Sequence, residues 1–363
     1  MSQESKFVIN GTLGEGGMGN VYDAYDKNLR RKVAIKSIIP DRAHDSVLRR
    51  YFTKEAQITG QLEHPNIIPV HEMATNPNDE LYYVMKRVDG ETLADILEGI
   101  KAGERSYIKT YTLGSLLSIF QKVCDAIAYA HSRGVIHLDL KPENIMVGGY
   151  GEVLVLDWGI ARLRRRSKNV SVENLVDLDE AANISAEDED EKVLGSLSFM
   201  APEQATGKST LVGTRTDIYA LGGILYNILT LRSPALGDSS TVIIKKIITG
   251  RVIHPLSYNE PNNRKKEDQV LLQHLPGEKV PEALAMISMK AMSEQLNDRY
   301  QTVAELQKDL FAYFAGHVTS VEDASLYRHF RLYLNRNRYV LYILALIVIT
   351  NVILFLVFLL TIF

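Results

Sequence analysis

Apolar residues fall into three regimes along this 363-residue chain: short runs between turns, then stripes at helical spacing, and last a long stretch without charge. Phe7-Val8-Ile9, Val33-Ala34-Ile35 and Leu81 to Val84 read as strands bounded by polar or turn residues. Ser46 to Leu62 reads as a helix that stops at His64-Pro65-Asn66, because proline disfavours helical backbone in the residue before it. Leu93 to Gly99 opens a helical half. Its long helix, Thr112 to Ser132, carries the stripe Leu117, Phe120, Cys124, Ile127 and ends at a Gly134 cap. Ile145-Met146-Val147 and Val153 to Leu156 flank Gly148-Gly149-Tyr150-Gly151, which predicts a hairpin. Ile218 to Thr230, opened by Asp217, and Thr302 to Phe314 are further predicted helices.

The third regime changes the picture. Tyr339 to Phe363 holds 25 residues and no charge, enough to span about 37 Å as a helix against roughly 30 Å of hydrocarbon. A transmembrane helix over 339–363 is expected, reached through a juxtamembrane connection over 315–338. Arg328, Arg331, Arg336 and Arg338 precede it, so the positive-inside rule keeps the preceding body in the cytoplasm, as a single-pass protein of the inner (cytoplasmic) membrane. Phe330, Tyr333 and Tyr339 among those arginines suit contact with anionic lipid, and Asn351 is either simply tolerated in mid-span or bonds a second copy across a helix pair, which would give a homodimer. No signal peptide is expected, since Met1 to Lys6 is polar.

Composition mainly excludes. A net charge of −3 gives no basic footprint, which argues against nucleic acid as the main partner. Cys124 is the single cysteine and lies on a helical apolar stripe, so an internal disulfide is ruled out and a buried core thiol expected. The length suits a two-lobed body plus an appendage.

The densest chemistry is His137-Leu138-Asp139-Leu140-Lys141-Pro142-Glu143-Asn144, followed beyond the hairpin by Asp157-Trp158-Gly159. Polar groups at both ends of one hairpin can hold an acceptor hydroxyl near Asp139 and a divalent cation between Asn144 and Asp157, since hard oxygen ligands suit Mg²⁺. This pattern resembles the catalytic and metal loops of the eukaryotic-like (Hanks-type) bacterial Ser/Thr protein kinases. The other motifs follow in that family's order: Gly14-Glu15-Gly16-Gly17-Met18-Gly19-Asn20-Val21, Val33-Ala34-Ile35-Lys36 and Ala201-Pro202-Glu203.

The resemblance implies an α+β, bilobal protein kinase fold over 7–314, with a β-rich N-lobe to about residue 85, a hinge at 86–90 and a helical C-lobe over 91–314. It implies ATP with Mg²⁺ or Mn²⁺, and protein substrates. Asp139 would orient the acceptor hydroxyl and Lys141 steady the phosphoryl group; Lys36, paired with Glu55, would hold ATP phosphates, and Asn144 and Asp157 the metal. Leu13, the glycine loop through Val21, Ala34, Met85 and Val88 would enclose the nucleotide, bonded through the backbones of Lys86 and Val88, while the side chains of Lys86 and Arg87 are read as a solvated edge. Ser196 is expected in the acceptor loop, Glu203 is expected to pair with Arg299, and Asp217 to anchor the catalytic loop.

Two departures stand out. Leu138 replaces the usual arginine that pairs with a phosphorylated activation segment, so independence from that phosphorylation is expected. Trp158 replaces the usual phenylalanine, in a packing column expected to include His137 and Thr59. The segment between Gly159 and Gly195 is basic at one end and acidic at the other, with Ser167, Ser171 and Ser185 as candidate autophosphorylation sites. Arg264-Lys265-Lys266 marks a surface insertion between Pro255 and Pro281. The rival readings are a pseudokinase scaffold without turnover and a small-molecule phosphotransferase of related fold.

Overall fold

A computed structural model describes residues 6–16, 18–159, 161–163, 197–259, 270–322, 346 and 348–353. Strands β1 (Phe7–Glu15), β2 (Gly19–Asp26), β3 (Arg31–Ile38), β4 (Val70–Thr75) and β5 (Leu81–Lys86) form an antiparallel sheet in the order β1-β2-β3-β5-β4. Alternation along the strands separates two faces. Ala24, Val33, Ile35 and Val84 cluster on one, while Ile38 and Tyr83 pack on the other with Leu48, Phe52 and Ala56 of helix α1 (Ser46–Gln61). Asp45 caps α1 by accepting bonds from the backbone N–H of Val47 and Leu48 at 2.9 and 3.1 Å.

Past the hinge the chain becomes helical, with α2 (Leu93–Lys101), α3 (Arg105–Thr110) and α4 (Leu113–Ser132). Thr112 caps α4, and Gly134 leaves it at φ +80°. Short strands β6 (Gly90–Thr92), β8 (Ile145–Gly148) and β9 (Val153–Val155) form one sheet, and β7 (Val135–Ile136) pairs with β10 (Arg162–Leu163). The hairpin expected at Gly148 to Gly151 is therefore present, in antiparallel register Ile145 to Val155. Asn66 ties this hairpin to the loop after α1: its Nδ2 donates to Val153 O and its carbonyl accepts from Val155 N, both at 2.9 Å.

The remaining described helices are α5 (Pro202–Ala205), α6 (Thr214–Thr230), α7 (Ser240–Ile248), α8 (Glu282–Ala291) and α9 (Val303–Phe314). Beyond its polar first turn helix α6 is apolar on nearly every side and accordingly buried, as Ile218, Leu221, Ile224, Leu225, Ile228 and Leu229 pack into the main core with α4, α8 and α9. It starts three residues before Asp217, which places that carboxylate in its first turn. Cys124 lies in the same core, fully buried and free.

Among the described residues no helix is long and apolar enough to cross a membrane. Of the expected span 339–363, residues 346 and 348–353 are described; they are helical, with Leu346, Val348, Ile349, Val352 and Ile353 exposed. The rest of that span, with Phe330, Tyr333, Tyr339 and the four arginines, lies outside the described residues, as do Gly17, Ser167, Ser171, Ser185, Ser196 and Arg264 to Lys266.

Candidate active site

The site assembles where the sheet, α1 and the two loops meet. Lys36 of β3 and Glu55 of α1 are both buried, and Lys36 Nζ lies 2.6 Å from Glu55 Oε1 and 3.9 Å from Asp157 Oδ1. Burial works against the Lys36 ammonium, but the charges of Glu55 and Asp157 outweigh it and raise its pKa. Burial raises the Glu55 pKa, and the Lys36 charge with the bonds from Lys36 and Tyr83 only partly offsets this. At Asp157 burial also pushes upward, yet the Lys36 charge above all, with the Gly159 N–H and Lys141, prevails and holds the carboxyl below its ordinary value.

The catalytic loop is fixed from underneath. Asp217 accepts from the backbone N–H of His137 and of Leu138, each at 2.8 Å, and its Oδ2 meets His131 Nε2 at 2.7 Å. Leu138 adopts φ +69° and Asp157 φ +55°, left-handed backbone that costs a non-glycine residue about 1 kcal/mol or more. These amide bonds hold Leu138 in that conformation, and Gln204 Nε2 adds a bond to its carbonyl at 2.9 Å. The carboxylate of Asp139 then faces Lys141 Nζ at 3.0 Å and Asn144 Nδ2 at 3.1 Å.

Asn144 spends its Nδ2 on Asp139, whose carbonyl it also reaches at 2.8 Å, so its Oδ1 is the group left for a cation. With the Asp157 carboxylate this makes an all-oxygen donor set, which fits Mg²⁺ or Mn²⁺. His137 accepts from Asp139 N at Nδ1 and faces Leu156 O at Nε2, 3.0 Å away, so Nε2 carries its proton. Its ring lies 4.5 Å from the Trp158 ring, which is fully buried. Thr59 is buried too, its hydroxyl bonded back to Glu55 O at 2.8 Å.

The glycine loop joins β1 and β2, closed by paired backbone bonds between Gly16 and Gly19 at 3.1 and 3.3 Å. A Cβ on Gly14 would meet no atom within 4 Å, so packing imposes no glycine there and the space is open to a phosphate. Gly19 differs: a Cβ would sit 2.4 Å from Ser37 O, so the close approach of β3 requires this glycine. Met18 packs against the α1 cluster, and its methyl would lie 2.6 Å from a Cβ on Gly159, so it bridges glycine loop and metal loop. Leu13 and Glu15 are exposed at the loop's edge, and Asn20 Nδ2 reaches Tyr22 OH at 3.4 Å. Val21 lies opposite Lys36 across β2 and β3, while Ala34 faces Met85 across β3 and β5; Val88 follows in the hinge.

Farther down, Glu203 and Arg299 are both buried and joined by two parallel bonds of 2.9 Å, and Thr216 donates to Glu203 Oε1 at 2.8 Å. Of the two hinge side chains expected at a solvated edge, Lys86 stays 41% exposed there and Arg87, at 19%, departs from it. Lys86 pairs with Glu152 of the β8–β9 hairpin, while Arg87 bonds Asp23 of β2 at 2.6 Å and pairs with Asp89. They link the hinge to both lobes because β5 ends at Lys86 and so delivers it, with Arg87 next in the chain, to the level of β2 and the hairpin. Tyr83, Gln204 and His131 also contribute without having been singled out in the sequence.

Residues 7–311 match the protein kinase domain family. The chain is 37% identical over 323 residues to the serine/threonine-protein kinase PknD of Protochlamydia amoebophila, covering 86% of this chain and 30% of that protein. PknD of Chlamydia felis is 36% identical over 310 residues, with 84% and 30% covered. PknD of Chlamydia trachomatis serovar D is 33% identical over 320 residues, with 84% and 31% covered. The chain thus spans about 30% of the length of the curated relatives it matches.

Proposed function

This chain belongs to the protein kinase family, among its eukaryotic-like (Hanks-type) bacterial Ser/Thr members, and from that premise we propose that it transfers the γ-phosphate of ATP to serine and threonine hydroxyls of proteins. The observation that carries this reading is the convergence of Lys36, Glu55, Asp139, Lys141, Asn144 and Asp157 in one cleft. Asp139 orients the acceptor hydroxyl and takes its proton as the oxygen–phosphorus bond forms and the bond to the β-phosphate oxygen breaks. Lys141 stabilises the charge on the moving phosphoryl group. Lys36, aimed by Glu55, holds the phosphates that remain as ADP. Asn144 and Asp157 would hold Mg²⁺ or Mn²⁺, which would supply charge neutralisation at the phosphates. A groove of about 560 Å³ beside the catalytic loop, lined in part by Leu97, Glu143, Phe199, Leu231 and Leu236, gives room for an acceptor segment of a protein.

Regulation follows from Leu138. This buried apolar side chain offers no charge to a phosphate, whereas Gln204 links the close of the activation segment to the Leu138 carbonyl directly. Turnover therefore does not depend on activation-segment phosphorylation. Phosphatase-treated protein is expected to keep at least about half its initial rate, and loss of nearly all activity overturns this. The uncharged stretch 339–363 supports a single-pass tether in the cytoplasmic membrane with the catalytic body in the cytoplasm.

The deciding experiment follows label from γ-labelled ATP into the chain itself and a generic basic protein, beside Asp139→Asn. Label on Ser or Thr that falls by about 10²-fold or more in the variant supports the kinase. No transfer with Mg²⁺ or Mn²⁺, despite nucleotide binding, favours a scaffold without turnover.

A further inference from the structure

We propose that Tyr83 is a positioning residue for phosphoryl transfer: its hydroxyl holds the Glu55 carboxylate in place, and α1 with it, while Lys36 engages the nucleotide. The inference rests on the kinase reading above. Its starting point is register. Tyr83 on β5 stands directly opposite Lys36 on β3, so both side chains leave the sheet on the face that α1 covers.

The Tyr83 hydroxyl donates to Glu55 Oε1 at 2.7 Å, and Lys36 Nζ approaches the same oxygen at 2.6 Å. Glu55 Oε2, also buried, has no hydrogen-bond partner. One carboxylate oxygen therefore carries both donors, and loss of either leaves a buried anion with a single one. The hydroxyl is itself fixed. Tyr83 is 4% exposed, its ring lies 5.3 Å from that of Phe52 on α1, and Ile38, Leu48 and Ala56 complete the cluster around it.

Lys36 has competing duties. Its ammonium lies 2.6 Å from Glu55 and 3.9 Å from Asp157, and a bound nucleotide adds phosphate oxygens to that demand. A second donor that is neutral holds Glu55 without drawing on the Lys36 charge. Tyr83 stays protonated for this task, since burial, with the Glu55 charge next, pushes its pKa well above the ordinary tyrosine value. The ionisable groups facing Glu55 are then Lys36 from β3, Asp157 from the metal loop and Tyr83 from β5. A tyrosine present only to fill the cluster would need no hydroxyl, because phenylalanine has the same ring.

The test compares the full 363-residue chain with Tyr83→Phe, Glu55→Gln and the double variant. Steady-state kinetics are read together with hydrogen–deuterium exchange over residues 46–61, with and without Mg-ADP. Tyr83→Phe is expected to keep its thermal midpoint within ~4 °C and to lose about tenfold in kcat, the loss of one charge-assisted hydrogen bond. The same change in the Glu55→Gln background is expected to cost less than about twofold, because the two residues act as a unit. In Tyr83→Phe, Mg-ADP is expected to speed exchange in α1, whereas the parent chain keeps its protection. Parental kcat, an equal loss in both backgrounds, or α1 exchange indifferent to the hydroxyl overturns the proposal. Should the parent chain transfer no phosphate, the kinase reading fails, while the exchange data still decide whether Tyr83 holds α1.

Discussion

Asp217 fixes a loop that lies 80 residues earlier in the chain. Three donors converge on its carboxylate, two of them amides of the strained stretch His137-Leu138, so the anion offsets the cost of left-handed backbone at a leucine. Asp217→Asn turns an NH₂ group toward one of those donors. The expected outcome is a loss of about 2–3 kcal/mol in stability, by denaturant titration, together with at least tenfold in kcat. A variant that lost stability but kept kcat would show that the loop geometry is held by other contacts. At this scale the sequence was legible in which side chains meet, as for Asp139, Lys141 and Asn144, which share one motif and bring their polar atoms within 3.1 Å of the Asp139 carboxylate. It was silent where backbone conformation is the role. Nothing in the letter at position 138 announces a positive φ, and the reading of Leu138 from sequence went only as far as its missing charge.

Between elements, the Glu203–Arg299 pair joins the short helix α5 to the turn before α9 at 2.9 Å through both nitrogens, with Thr216 at the first turn of α6 bonded to the same carboxylate. Arg299 also donates to the carbonyls of Ser293, Arg215 and Glu294, so its planar fork serves several segments at once. Arg299→Lys keeps the charge and removes the fork. It is expected to cost about 3 kcal/mol or more, a fall in thermal midpoint of roughly 10 °C; a shift under ~2 °C would mean that lysine satisfies Glu203 unaided. The partners of this pair were legible because each sits in a motif of fixed order. The ion pairs of Lys86 with Glu152 and Arg87 with Asp23, and the bond from Tyr83 to Glu55, were not. They depend on strand register and on how far the β8–β9 turn reaches, and residue spacing encodes neither.

For the whole molecule the stretch 339–363 decides where the catalytic body is expected to work. The stretch 339–363 has the length and lack of charge to span a bilayer, and the described part of it is helical with its apolar side chains exposed. An exposed helix bearing Leu346, Val348, Ile349, Val352 and Ile353 is costly in water and stable in lipid, which makes the solvent around it the deciding variable. The full chain is therefore expected to stay with membranes through alkaline extraction. Replacing Ile349 and Ile353 by arginine adds roughly 2.5–3.5 kcal/mol per residue to insertion and is expected to move the chain to the soluble fraction. Because both positions lie far in sequence from the cleft, kcat on a soluble peptide should stay within about twofold of the parent chain while phosphorylation of membrane-bound proteins falls, as tethering raises the effective concentration of partners held at the same surface. A double variant that still resists extraction would place the attachment elsewhere, with the arginine-rich connection before residue 339 as the next segment to test.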